Sequence, residues 1–191
     1  LGDMTVPVIV TPGNDPGPER AESWMRAVRS VLVPVDLTEF SRHQLRVADG
    51  LAQGIGAAVV VAHVLEPLAV RDHFRGVAAA VGAARRDTAQ TRLDELLRDA
   101  PSPVRRTTAI VSGDPATEIA RLGREHAVGA IVMALHSSPD TGRRIGSVTY
   151  RLLCQAPAVV VALPPTLPAR PLPPARRASQ AATAGPSRGV S

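Results

Sequence analysis

Five short runs rich in β-branched residues punctuate this chain, and the segments between them show helical spacing. No other feature restricts the fold as much. SVLVPV (30–35), AAVVVAHVL (57–65), GAIVMAL (129–135) and AVVVAL (158–163) are almost continuously apolar, as strands buried on both faces are. VRRTTAIV (104–111) is more polar and is placed near an edge of the sheet. Over residues 39–55, Leu45, Ala48, Leu51, Ala52 and Ile55 recur at helical spacing, and Gly54 and Gly56 close that helix. A long helix is expected over 72–99, with Val77, Val81, Ala84, Leu93, Leu96 and Leu97 on one side and Pro101 and Pro103 beyond its end. Asp114-Pro115 reads as an N-cap and first helical position, opening a helix that runs to about His126. Ser147 to Gln155 reads as the last helix, halted by Pro157.

Alternating strands and helices of this kind predict an α/β fold: a doubly wound, five-stranded, mostly parallel sheet with four helices on its two faces. Ligands on such sheets bind beyond the C-terminal strand ends, where strand order reverses. A reversal between the first and fourth runs brings Pro34-Val35-Asp36 and the stretch from Ala134 through Ser147 to one crevice.

The ends of the chain differ from this middle. Residues 1–27 hold PGNDPGPE and no apolar periodicity, and residues 164–191 hold seven prolines, four arginines and no acid. Neither composition buries enough apolar surface to offset chain entropy, so both are expected to be disordered, flanking one domain at 28–163. Met25 precedes RAVRSVLVPVD, a natural start for that domain, so residues 1–24 read as a leader or a start-site error. The P-x-x-P spacings of the tail read as an extended polyproline-like segment.

Composition removes several functional classes. Aromatic residues make up 2% of the chain, too few for the stacking platforms of single-stranded nucleic-acid binders. The net charge of +5 lies mostly in the tail, and no specific DNA-binding face is indicated. No apolar run approaches the ~20 residues of a membrane span. A single cysteine, Cys154, allows no internal disulfide, and a reducing, cytoplasmic setting is the default expectation. The five histidines show no metal-ligand spacing, and no nucleophile elbow or placed carboxylate pair points to an enzyme.

Two segments carry the possible chemistry. Asp36 stands where a carboxylate accepts hydrogen bonds from adenine or ribose; alternatively it is a turn residue bonding its own backbone ahead of a helix. Thr38 is an N-cap candidate by the same logic. In HSSPDTGRRIGSV (136–148), Gly146-Ser147 at a helix start suits a phosphate, with Gly142 giving backbone freedom and Arg143 and Arg144 adding charge. The alternative there is a capped helix with two solvated arginines.

Taken together, VLVPVDLTEFSRHQLRVADGLA, VVVAHVLEP, SGDPATEIARLGREHAVGAIVMALH and GSVTYRLLCQAPAVVVALPP resemble the universal stress protein family over residues 28–163. The resemblance implies a Rossmann-like fold and a homodimer paired through the strand Ala158–Leu163. One branch of the family binds ATP, and its pattern matches Asp36, Val64 in the second strand, and Gly146-Ser147 followed by Val148. The family's Gly-x-x-Gly falls on Ala134-Leu135-His136-Ser137, and the interval from Ser138 to Ile145 is one residue short. These substitutions remove backbone freedom next to the phosphates, although Ala134 and Ser137 leave the space open. The implied function is a stress-response module that binds ATP or a related adenine nucleotide. The alternative is an ATP-independent scaffold acting through its dimer surface and basic tail. A slow ATPase on the same crevice is the weakest of the three readings.

Overall fold

The computed structural model describes residues 7–11, 21–67, 75–135 and 147–164, with the side chains of residues 21, 75–78 and 147 left aside. The elements, in chain order, are β1 (Val8–Val10), α1 (Ala21–Ala27), β2 (Ser30–Pro34), α2 (Phe40–Ile55), β3 (Ala58–Leu65), α3 (Arg75–Asp99), β4 (Arg106–Ser112), α4 (Pro115–Glu125), β5 (Ala130–Ala134), α5 (Ser147–Gln155) and β6 (Val159–Leu163). The sheet order is β1-β6-β5-β2-β3-β4. The five expected strands run parallel, and the polar β4 lies at one edge. Strand order reverses at β2, between β3 and β5, as a doubly wound sheet requires.

Pleating divides the core into two layers. Val31, Val33, Val59, Val61 and Val132 face α2 and α3, where Leu45, Ala48, Ala52, Leu93 and Leu96 meet them. Leu32, Val60, Ala62, Ile131 and Met133 face α4 and α5, against Ile119, Leu122 and Leu152. With so few aromatics, the buried core is filled by aliphatic side chains, and backbones approach closely. A Cβ on Gly129 would lie 2.4 Å from Cγ2 of Val28, and one on Gly123 2.9 Å from Cγ of Pro157. On the α2–α3 side, a bidentate ion pair ties β4 to α2. Arg106 Nε donates to Asp49 Oδ1 at 3.0 Å, its Nη2 donates to Oδ2, and its Nη1 donates to the Ala100 carbonyl at 2.6 Å.

Three differences from the sequence reading have physical causes. Residues 1–27, expected to lack regular structure, contribute β1 and α1; β1 is held by an antiparallel pairing with β6, a contact distant in sequence. The Ala158–Leu163 edge, on which the resemblance placed a second copy, is therefore covered by the chain's own β1. In α3, the expected inward stripe holds only in the C-terminal half. Ala89, Leu93 and Leu96 are buried, Leu97 is half-buried, Val81 and Ala84 are exposed, and the side chain of Val77 lies outside those described. At 25 residues α3 is about 37 Å long, whereas the eight residues of β3 span about 26 Å. Arg85 already reaches the carbonyl of Glu66, just past the end of β3, so the earlier turns overhang the sheet. The proline-rich tail from 165 onward lies outside the described residues.

Candidate functional site

β2 and β5 pair only at Val31–Ala130 and Leu32–Ile131. Beyond these pairs β2 continues to Pro34 and β5 to Ala134, and each strand follows its other neighbour. The Val35 amide donates to the Ala62 carbonyl on β3 at 2.8 Å, and the Leu135 amide donates to the Leu163 carbonyl on β6 at 2.7 Å. The strands thus part at the switch point, the place where doubly wound sheets hold their ligands.

Gln44 of α2 closes the floor of that divergence. It is 1% exposed, and its Nε2 donates to the Pro34 carbonyl at 2.7 Å and the Val132 carbonyl at 2.9 Å. One side-chain amide thus replaces the ladder that the splayed strands lack. Sequence reading missed Gln44, although its position was informative: with Ser41, Leu45, Ala48 and Ala52 it belongs to the buried stripe of α2.

The turn after β2 is tightly bonded. Asp36 is exposed, and its Oδ1 accepts from the Thr38 amide at 3.1 Å, Thr38 Oγ1 at 2.7 Å and Ser41 Oγ at 2.9 Å. This is the helix-initiating turn anticipated as one of two readings for Asp36. Thr38 acts as a donor to Asp36 rather than as the cap, and Glu39, at the formal N-cap position, makes no side-chain cap bond. Leu37 holds φ 61°, in the left-handed region that a side chain disfavours, while its side chain packs on the α2–α3 core layer. His63 Nδ1 lies 2.8 Å from the Val35 carbonyl; that oxygen only accepts, so Nδ1 carries the proton. His63 is thereby the satisfied, half-buried histidine its apolar surroundings imply.

The remaining candidates divide by face. Pro34 ends β2 and Val64 is the penultimate residue of β3; both are half-buried, and by pleat they share the α4–α5 face. Val64 packs on that core layer, as does Val148, the second residue of α5. Val35 and Ala134 are buried, and Val35 joins the opposite layer. Ser147 opens α5 as expected; its side chain, together with His136, Ser137, Gly142 and Gly146, lies outside those described.

α4 begins at the same end of the sheet. Asp114 caps it through the Thr117 amide at 3.0 Å and takes a bidentate bond from Arg151 of α5, at 2.8 and 2.6 Å. The Arg151 bonds above all, then those from Thr117, lower the Asp114 pKa from 3.8 to about 2. The cap was legible in the sequence, but the tie from α5 was not. A separate groove between the start of α2 and the C-terminal half of α3 is lined by Arg42, Arg92, Arg98, Glu39, Glu95 and Asp99. Its charges balance, so it offers no preference for an anion. Among the described residues no cluster of His, Cys, Asp or Glu is arranged to hold a metal ion, and no helix is long and apolar enough to cross a membrane.

A parallel sheet reversing at β2, with helices on both faces and its strands parting at the reversal, defines a Rossmann-like α/β protein. Residues 27–164 match the model of the universal stress protein family, and the chain belongs to that family. It is similar in structure to the hypothetical protein MJ0577, whose biochemical function was assigned from its structure, with 18% identity over 73% of this chain and 97% of that one and a TM-score of 0.60. Universal stress protein UspA from Lactobacillus plantarum shares 22% identity over 71% of this chain and 97% of that one, with a TM-score of 0.56. A universal stress protein in complex with cAMP shares 18% over 71% and 96%, with a TM-score of 0.53. At such identities the likeness speaks for the fold. No curated protein matches this chain significantly in sequence.

Proposed function

We propose that the chain is a nucleotide-responsive stress module that binds an adenine nucleotide in the crevice between β2 and β5. The observation that carries the proposal is the divergence of these strands directly above the Gln44 bridge, with Asp36 at the rim. Pro34 and Val64 offer an apolar wall for a base on the α4–α5 face, and Asp36 offers a carboxylate to amino or hydroxyl donors. The start of α5 supplies the backbone N–H groups that favour a phosphate. The structural neighbour bound to cAMP supports an adenine nucleotide as the ligand class. The role is binding rather than catalysis.

Calorimetry on the full chain with ATP and with cAMP tests this reading. Asp36→Asn keeps the Oδ1 acceptor that starts α2 while removing the charge, so it separates ligand binding from folding. Micromolar binding weakened at least tenfold in Asp36→Asn is the expected result. No heat with either nucleotide up to millimolar concentration overturns the proposal and leaves the ATP-independent scaffold.

A further inference from the structure

The β6 edge of the sheet is closed by a strand of only three residues, anchored on the core through Val10. β1 meets β6 through three register pairs, Val8–Ala162, Ile9–Val161 and Val10–Val160. It is antiparallel in a sheet whose other pairings are all parallel. Ile9 is 68% exposed and Val8 is half-buried, so Val10, half-buried against the α4–α5 layer, is the strand's one contact with the core clusters. The strand beneath differs in character: β6 reads Val-Val-Val-Ala-Leu, with no charge, and Val160, Ala162 and Leu163 are buried. An uncharged apolar edge of this kind, once uncovered, is a template for another strand.

We propose that β1 is a displaceable strap that competes with a second copy of this chain for the β6 edge. When β1 lifts, the β6 strands of two copies pair antiparallel about a two-fold axis, so that the same residues serve on both sides. A second copy is the favoured occupant because the edge already accepts an antiparallel, β-branched apolar strand, and β6 is itself such a strand. β6 also has no charge with which to select an unlike partner. Three register pairs barely offset the entropy of ordering three residues, so the strap opens readily. Unlike β1, a second β6 arrives on a folded sheet and joins the two sheets into one.

Sedimentation velocity on the full chain, with circular dichroism as a check on folding, tests the strap. Val8→Asp with Val10→Asp places two carboxylates opposite the buried Ala162 and Val160 and releases it. Ile9→Cys with Val161→Cys, in a Cys154→Ser background, locks it between register partners on oxidation. Both copies must open before they pair, so a strap closed about nine times in ten gives roughly hundred-fold tighter self-association on release. The expected results are that tightening in the released variant, a locked variant that stays monomeric, and recovery of wild-type behaviour on reduction. A folded released variant that remains monomeric, an oxidised locked variant that dimerises like wild type, or a disulfide that joins the two introduced cysteines between chains instead of within one would each overturn the proposal.

Discussion

Gln44→Leu removes the side-chain donor that, among the described residues, bridges the diverging ends of β2 and β5. Its Nε2 donates to the Pro34 and Val132 carbonyls, and the bond to Val132 is fully buried. Leucine fills a similar volume and donates nothing. A buried carbonyl left without a partner costs about 1–3 kcal/mol, so with the Pro34 oxygen partly reached by water the sum is about 3 kcal/mol. Against a typical stability of ~5–15 kcal/mol this is a large fraction. Urea unfolding followed by far-ultraviolet circular dichroism measures it, with an unchanged m-value showing that only stability has moved. Gln44→Glu adds a signature in pH. Burial and two facing carbonyl oxygens disfavour the carboxylate, so the folded pKa rises above the unfolded value of ~4.3. Relative to wild type, the variant is then most stable below pH ~4.3 and loses up to ~1.4 kcal/mol per pH unit as pH rises through the window to its folded pKa. A Gln44→Leu protein within ~0.5 kcal/mol of wild type, or a Gln44→Glu difference independent of pH, would refute the bridging role.

Other expectations follow from contacts elsewhere. Asp49→Ala strands the Arg106 guanidinium, whose side chain is 11% exposed, and should cost about 3–5 kcal/mol; Asp49→Leu with Arg106→Met should recover most of the loss in the same unfolding assay. Arg151→Ala should raise the Asp114 pKa from about 2 toward 3.8, read by NMR titration of the carboxyl carbon. In wild type the stability that pair contributes is complete above pH 3.8 and is lost as pH falls through about 2, and Arg151→Ala should narrow that window. Gly129→Ala drives a methyl to 2.4 Å from Val28 Cγ2 and should destabilise by about 1–3 kcal/mol, with Val28→Ala restoring part of it.

The parallel layers were legible because strands buried on both faces must be apolar throughout, and the runs at 30–35, 57–65, 129–135 and 158–163 leave no other reading. The position of β4 followed from its polarity, since an edge strand has only one neighbour to satisfy. β1 was not legible: Val8–Val10 is too short to show a period, and what orders it is β6, more than a hundred residues away. At the site, Asp36 was found by position, but its three hydrogen bonds depend on the turn forming first. Gln44 and Asp49 look like ordinary polar helix residues until Ser41, Leu45 and Ala48 are recognised as the buried stripe on either side of them. The Asp114–Arg151 tie joins helices whose sequence separation conceals the contact. Of the two degenerate glycine positions, Ala134 ends β5, whereas Ser137 lies with residues 136–146 outside the described structure and is known only as sequence.

The scarcity of aromatic side chains has an optical consequence. The single tryptophan, Trp24, lies in α1 at the N-terminal end of β2, half-buried against the α2–α3 layer, and its carbonyl accepts from the Val28 amide. The single tyrosine, Tyr150, stands 62% exposed in the first turns of α5, at the crevice end of the sheet. The two chromophores therefore sit at opposite ends of the strands. Emission excited selectively at the indole reports how α1 seats against the domain and gives no direct view of the crevice. A ligand that changes it must do so through the sheet, and one that touches the tyrosine is read from the other end.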